Sequence, residues 1–277
     1  MPKIPVLLLP VTAVLLGLIG CAGPTNPSFT VDRQDAREAI RDMRARPVEP
    51  VRPIVVVGPF LDPAIAEWQM RHQVRQAFEP DRVVGVSFPF WSNFDLCREQ
   101  VIEAVEAEFP SDDPDWTTEV DVIAFSMGGL VARYAATPPT PPTQTTAAQA
   151  DHSPRKQLKI ARLYTVCSPH QGSALARLPS LLPLVRSMAP DSPFLTELNS
   201  QFEDAPYTLT AYTRLTDPIV DPTRAAPEGH PVRWVQPPPF TLAHNYALDD
   251  PRLIADILRR LRNETPLSTD PPAPLPG

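Results

Sequence analysis

The stretch from residue 119 to residue 136, EVDVIAFSMGGLVARYAA, constrains the fold of this chain more than any other part. Its first half is a short apolar, β-branched run that predicts a buried strand, and its second half has apolar residues at helical spacing. The change falls at Ser126, with the small residues Ala124 and Gly128 two positions before and after it. Such a junction holds a hydroxyl above a sheet at a helix N-terminus, where developing negative charge is stabilised. A serine that simply caps the helix would give the same local pattern.

Strand and helix patterns alternate along most of the chain. Strand patterns precede and follow Ser126, and the helical patterns between them begin near residues 63 and 95. A last helical pattern begins at Asp249 or Asp250, with Pro251 in its first turn. This alternation is typical of a parallel sheet that is covered by helices. We therefore predict an α/β fold with a mostly parallel central sheet and helices on both faces.

Composition narrows the possible classes of protein. The 277 residues are 43% hydrophobic, which is enough for one sizeable core, and we predict one large domain. The formal net charge of −7 gives the chain no overall excess of positive charge with which to bind nucleic acid. The 38 prolines against 10 glycines predict extended tethers and loops around an ordinary core.

The N-terminus has the layout of a secretory signal. Lys3 precedes an apolar run over residues 4–19, which is shorter than the ~20 residues of a good membrane span. The following Leu-Ile-Gly-Cys resembles a bacterial lipobox, which implies that Cys21 is diacylated and anchors the protein. A plain signal peptide cleaved near Ala22, or an uncleaved anchor, remains the alternative. No aspartate follows Cys21, which favours the outer membrane, so we expect a lipid-anchored protein of the cell envelope.

The sequence predicts six segments. They are a signal peptide at 1–20, a tether or linker at 21–52, the folded domain at 53–262 with a disordered insertion at 137–157 and a leucine-rich stretch at 174–200, and a Pro-rich disordered tail at 263–277. The tether contains a short helical pattern at 32–46, with Ala36, Ile40 and Met43 on one face.

Candidate acidic and basic side chains lie in the second half of the domain. Asp217 follows a strand pattern, and functional groups of open α/β sheets lie at the carboxyl ends of strands. Asp221 is the alternative acid, and either aspartate could instead cap a turn. His244 lies on the loop before the last helix, whereas the other histidines lie in a helix, the insertion, a Pro-rich loop and the loop after Cys167.

Several motifs over residues 53–262 resemble those of the α/β-hydrolase superfamily, in particular bacterial lipases and esterases with an A-x-S-M-G-G nucleophile elbow. The motifs are A-F-S-M-G-G around Ser126, S-P-H-Q-G-S at 168–173, S-P-F-L-T-E-L-N at 192–199 and D-P-I-V from Asp217. The resemblance implies that Ser126 is the nucleophile, Asp217 the acid and His244 the base, in the family's chain order. It also implies that His170 supports a loop and that residues 174–200 form a cap over the serine. Ordinary helix packing on the sheet is the alternative for the cap.

The resemblance further implies an oxyanion hole made of backbone N–H groups. One donor is the N–H of Met127, the residue after the nucleophile. The second comes from the loop after the first strand, which in lipases usually reads V-H-G-F and here reads V-G-P-F, without histidine. Pro59 has no N–H, so Phe60 is the candidate donor, with Leu61 behind it.

The implied function is a membrane-tethered serine esterase or lipase that cleaves carboxylic esters of lipid-like or acyl type through an acyl-enzyme. The alternatives are a catalytically silent, hydrolase-like envelope lipoprotein used for binding, and an acyltransferase or peptidase with the same triad. The sequence has no metal-ligand cluster and no phosphate-binding loop, so we expect no cofactor and no metal. Cys97 and Cys167 could form a disulfide or remain buried free thiols.

Overall fold

A single parallel sheet organises the protein. The computed structural model describes residues 28–89, 93–138, 156–177, 182–238, 241 and 244–276. Within these residues six strands pair in the order β2-β1-β3-β4-β5-β6, and every pairing is parallel. The strands are β1 (Ile54–Phe60), β2 (Val83–Phe88), β3 (Val120–Phe125), β4 (Ile160–Val166), β5 (Thr208–Arg214) and β6 (Val232–Val235).

Helices cover both faces of this sheet, as predicted. Alternate residues of β1 point to opposite faces, so Ile54 and Val56 join one apolar core and Val55 and Val57 join the other. Buried residues of α1, α2 and α7 line the first core, and those of α3 to α6 line the second. The helices are α1 (Arg33–Ala45), α2 (Ile65–Ala77), α3 (Phe94–Glu108), α4 (Met127–Ala135), α5 (Pro183–Ser187), α6 (Pro193–Ser200) and α7 (Pro251–Leu261).

Within the predicted tether at 21–52, the helical pattern forms α1, and the structure corrects only the expectation that this segment lies apart from the domain. Helix α1 buries its apolar stripe of Ala36, Ile40 and Met43 against the domain. The Nη1 atom of Arg33 lies 2.8 Å from the Asp250 carboxylate at the start of α7, which fixes the beginning of α1. A stripe of three apolar side chains is enough to dock a short helix when a matching groove exists, and α7 supplies it.

The structure also corrects the disordered tail predicted at 263–277. The buried carboxylate of Asp256 accepts hydrogen bonds from the backbone N–H groups of Leu267 and Ser268, both at 2.7 Å. The indole N–H of Trp234 donates to the carbonyl oxygens of Ala273 and Pro274, at 3.2 and 3.1 Å. A proline has no backbone N–H and so donates no backbone hydrogen bond, but its carbonyl oxygen can accept one. Hydrogen bonds of this kind order the C-terminal segment against the domain.

Parts of other predictions lie outside the described residues. These include residues 1–27 with Cys21, residues 139–155 of the predicted insertion and residues 178–181 of the cap region. Among the helices in the described residues, none combines the length and the apolar character that a membrane span requires. Cys97 and Cys167 are both buried and are not joined to each other, so the structure does not contain the disulfide considered above.

The described part of the cap region packs on the helices beside the serine. It consists of a 3-10 helix at Ala174–Arg177 and helices α5 and α6. The ring of Phe194 stacks on that of Phe94 in α3, with centroids 4.0 Å apart. Arg133 of α4 donates to the carbonyl oxygen of Leu198 and to the Asn199 side chain, both at 2.9 Å. Helix α6 is therefore fixed to α3 and α4, as in the ordinary packing alternative.

Candidate active site

Residues with strained backbone angles occur where the strands end. A positive φ in a residue other than glycine is uncommon and costs free energy, most of all in a β-branched residue. Here it occurs at or just after the carboxyl ends of four strands, at Leu61 (φ 52°), Ser126 (φ 53°), Cys167 (φ 49°) and Thr216 (φ 59°). Because the sheet is parallel, these four positions share one edge, where functional groups of open α/β sheets lie.

Ser126 forms the turn between β3 and α4. Its φ of 53° and ψ of −125° lie outside the usual regions, and the residue is 9% exposed. A Cβ atom on Gly128 would lie 2.6 Å from the carbonyl oxygens of Val57 and Gly58, and one on Gly129 would lie 2.3 Å from the Ser168 hydroxyl. Gly128 therefore lets the first turn of α4 lie directly against the end of β1, and Gly129 lets it lie against the end of β4.

Asp217 and His244 meet at the same edge. The Nδ1 atom of His244 lies 2.7 Å from Oδ2 of Asp217, and the carboxylate is fully buried. Its other oxygen accepts the backbone N–H groups of Ile219 and Val220, at 2.8 and 3.1 Å. Burial raises the pKa of Asp217, but the hydrogen bonds from His244 and the two amides outweigh it, and the net pKa is lowered. The group is thus held as a carboxylate.

Asp221, the alternative acid, has a local role. It is exposed and caps the 3-10 helix at Pro222–Arg224, where its Oδ1 accepts the N–H and the hydroxyl of Thr223. Of the two aspartates, Asp217 is the one that contacts His244.

The imidazole of His244 lies beside the serine turn. Its ring centroid is 4.9 Å from that of Phe125, the residue before Ser126. Because Nδ1 faces Asp217, Nε2 is the nitrogen that remains for a proton from a substrate or a nucleophile. Nε2 is buried and has no hydrogen-bond partner within the described part of the chain, so the bond from the Ser126 hydroxyl is not formed in this structure. Catalytic hydrogen bonds often tighten only when substrate binds.

Cys167 is a neighbour of this pair that the sequence did not reveal. Its Sγ, a carboxylate oxygen of Asp217 and a ring nitrogen of His244 all lie within 4.8 Å of one another. Burial, and then the charge of Asp217, raise the pKa of the Cys167 thiol well above its usual value. The 2.7 Å bond between Asp217 and His244 engages one carboxylate oxygen and one ring nitrogen of this group. The expected absence of a metal and a cofactor stays a prediction.

His170 belongs to a buried network away from this pair. Its Nδ1 lies 3.0 Å from Nη1 of Arg133, and its Nε2 lies 3.1 Å from the Thr165 hydroxyl. Burial, with the charge of Arg133, lowers the pKa of His170 well below its usual value, which keeps the ring neutral. Its carbonyl oxygen accepts from the Asn199 side chain at 2.9 Å. The network joins α4, α6 and the loop after β4, which is a supporting position.

The predicted oxyanion donors lie on two segments that touch. Met127 is the first residue of α4, and Phe60 is the last residue of β1, where it pairs with Phe88 across an irregular register. Both segments meet at Gly128, through the contact with the carbonyls of Val57 and Gly58. The assignment of Met127 and Phe60 as donors stays a prediction.

Comparisons with known proteins support the architecture. No protein-family model and no curated protein matches the chain. Among solved structures it is similar to phospholipase PlaB from Legionella pneumophila, with a TM-score of 0.50 and 12% identity over 76% of this chain and 59% of PlaB. It is also similar to mature lipase BlEst2 from Bacillus licheniformis, with a TM-score of 0.47 and 14% identity over 77% of this chain and 91% of the lipase.

The chain thus spans about three fifths of PlaB, and identities this low compare folds rather than activities. With six parallel strands in the described residues, helices on both faces of the sheet and its similarity to PlaB, the chain has the α/β-hydrolase fold.

Proposed function

We propose that this protein is a serine hydrolase of carboxylic esters, tethered to a membrane by lipidated Cys21. The observation that carries the proposal is the buried pair of Asp217 and His244 on the sheet edge that also holds the strained Ser126. A hydroxyl, an imidazole and a carboxylate in this chain order are the groups that acyl transfer through a covalent intermediate requires.

In the proposed reaction, His244 Nε2 takes the proton of the Ser126 hydroxyl as its oxygen attacks the ester carbonyl. Asp217 keeps Nδ1 protonated and stabilises the imidazolium that forms. The N–H groups of Met127 and Phe60 hold the oxyanion, and His244 returns its proton to the departing alcohol. Water activated by His244 then cleaves the acyl-enzyme and regenerates Ser126.

The surface around the site favours lipid-like esters. Eight large hydrophobic side chains are exposed in the described part of the chain. Val51 precedes β1, and the other seven lie in loops or first helical turns that follow strand ends, on the edge of the proposed site. These seven are Leu61, Ile65, Trp68, Leu96, Leu175, Ile219 and Tyr246. Apolar side chains grouped at one edge fit a substrate with acyl chains better than a small polar ester.

A lipid anchor at Cys21 would hold the domain close to a membrane. Seven residues separate Cys21 from Ser28, which is a reach of about 25 Å when the chain is fully extended. We therefore place the protein in the cell envelope, with the outer membrane favoured, and expect labelled palmitate to be incorporated in the parent and not in Cys21→Ala.

The test of the activity is hydrolysis of p-nitrophenyl esters of short and long acyl chains by the full chain, beside Ser126→Ala and His244→Ala. We expect turnover in the parent and its loss in both variants. A profile that rises with chain length would identify a lipase, and one that falls would identify an esterase. Release of the acyl group to an added alcohol in preference to water would identify an acyltransferase.

A silent binding lipoprotein is the second candidate. The hydrogen bond from Ser126 to His244 that is absent here and the V-G-P-F loop without histidine favour it. A parent that neither turns over esters nor reacts at Ser126 with a fluorophosphonate probe would establish this second function.

A further inference from the structure

We propose that Asp62 is a positioning residue for the oxyanion side of the site. The first loop is defined here as residues 58–64, from the end of β1 to the residue before α2. Asp62 would hold this loop in the conformation that presents the N–H groups of Phe60 and Leu61. The inference rests on the proposed serine hydrolase function and adds a residue to its machinery.

Asp62 is a buried carboxylate with three backbone partners. Its Oδ1 accepts the N–H groups of Ile65 and Ala66 at 2.8 and 3.1 Å, and its Oδ2 accepts the N–H of Glu67 at 2.9 Å. These are the first three residues of α2, whose N–H groups have no partner inside the helix. The residue directly before the helix, Ala64, has no side chain that could accept them. Asp62 therefore caps α2 from two residues further back.

The first loop needs such a support because its backbone is strained. Leu61 has a φ of 52° and Ala64 a φ of 70°, and neither residue is a glycine. A left-handed conformation costs free energy in a residue other than glycine. Three charge-assisted hydrogen bonds to Asp62, which lies between the two strained positions, offset this cost. Without them the loop would relax towards ordinary φ values.

The same carboxylate is packed against the strand end that touches the nucleophile turn. A Cβ atom on Gly58 would lie 3.1 Å from Oδ2 of Asp62 and 3.1 Å from Cβ of Glu67. On its other side, the carbonyl of Gly58 lies against Gly128 in α4. A line of contacts thus runs from Asp62 through Gly58 to Gly128 in α4, the helix that follows Ser126.

Glu67 is the second buried acid at this position and has a different role. It forms an ion pair of 2.5 Å with Arg71, and its side chain fills the space that Gly85 leaves in β2. Burial raises the pKa of Glu67 in spite of Arg71, and the charge of Asp62 raises it further. Glu67 packs α2 on β2, whereas Asp62, itself a residue of the first loop, accepts the backbone N–H groups at the helix start and so ties the loop to α2.

The experiment compares Asp62→Asn and Asp62→Ala with the full parent chain. Asp32→Ala is the matched control, because Asp32 caps α1 with bonds to Gln34 and Asp35 of 2.7 and 2.9 Å and lies outside the site. We measure kcat and KM for a p-nitrophenyl ester well below the melting temperature. The inhibition constant of a trifluoromethyl ketone, which forms an oxyanion on Ser126, is measured beside them.

We expect the Asp62 variants to lose about 10–100-fold in kcat with KM within about twofold, because a displaced oxyanion donor should cost less than the roughly 10²–10³-fold that a removed donor costs. The inhibition constant of the ketone should rise in proportion to the loss of kcat/KM. Asp32→Ala should lose thermal stability, as a missing cap does, with kcat unchanged.

Asp62 variants that lose thermal stability like Asp32→Ala but keep the kcat of the parent would overturn the inference. If the parent itself has no activity, the proposed function fails separately, and amide hydrogen exchange still tests the loop. Faster exchange at residues 60–67 in Asp62→Asn than in the parent would support the positioning role, and equal protection would overturn it.

Discussion

The two sides of Ser126 are built in different ways. On the acid–base side, two side chains from distant parts of the chain, Asp217 and His244, meet across 2.7 Å in a buried setting. On the oxyanion side, the groups of interest are backbone N–H groups whose direction depends on strained φ angles in the first loop. One side consists of chemically identifiable residues, and the other consists of a backbone conformation.

This difference decides what each side tolerates. A side-chain pair is destroyed by one substitution at either partner and is insensitive to small shifts of the surrounding loops. A backbone donor cannot be removed by an ordinary substitution, but it moves with every contact that shapes its loop, such as Asp62 beneath it and Gly128 beside it. We therefore expect a substitution in the acid–base pair to abolish most of the activity at once, and substitutions around the oxyanion donors to lower it gradually.

The largest effect is expected at Asp217. Asp217→Asn would keep the shape but favour the wrong tautomer of His244, so kcat should fall by about 10⁴-fold, as in other triads. Asp221→Asn is the matched control, because Asp221 lies four residues away and only caps a turn, and its kcat should stay at the parent value. Steady-state hydrolysis of a p-nitrophenyl ester measures both. Equal losses in the two variants would refute the assignment of the acid.

An intermediate effect is expected at Gly128. In Gly128→Ala the new methyl group would lie 2.6 Å from the carbonyls of Val57 and Gly58, so the end of β1 must shift. We expect kcat to fall about 10–100-fold, on the scale of one displaced oxyanion donor, while the pair of Asp217 and His244 stays in place.

Gly229→Ala is its control. This variant also replaces a glycine, at a φ of 71°, but no atom lies within 4 Å of the added carbon. Melting temperatures should fall in both variants, and kcat only in Gly128→Ala. Full activity in Gly128→Ala would show that the two segments move independently.

The smallest expected effect is on the pH dependence of stability, and it arises from the burial of Cys167 beside the acid–base pair. The folded protein raises the pKa of Cys167, so it binds the thiol proton more tightly than the unfolded chain does. This contribution to stability is complete below the unfolded pKa of about 8.5 and is lost as the pH rises above it towards the folded value.

The free energy of unfolding of the parent should therefore decline more steeply above about pH 8.5 than that of Cys167→Ala, by at most ~1.4 kcal/mol per pH unit. Urea unfolding at pH 7, 8, 9 and 10 measures the two slopes. Parallel slopes would mean that Cys167 is not buried beside the carboxylate as described.

Much of the fold was accessible from the pattern of the chain. Strand and helix periodicities are local, so the alternating order and the serine at the junction of β3 and α4 could be predicted. The short helix within 21–52 also has a local pattern, but its docking on the domain, like the order of residues 263–276, depends on partners far away in sequence. Neither the groove on α7 that receives α1 nor Asp256, which binds Leu267 and Ser268, leaves a local signal.

The sequence by itself determined which residues could carry the chemistry, since Ser126, Asp217 and His244 are recognisable from residue type, motif and position relative to strands and helices. Only the tertiary structure paired His244 with Asp217 instead of Asp221, brought Cys167 beside the pair and bonded Asp62 to the start of α2. The reason is physical. Periodicity and residue chemistry are local properties of a chain, whereas burial, backbone strain and the direction of an N–H group are set by what packs against them.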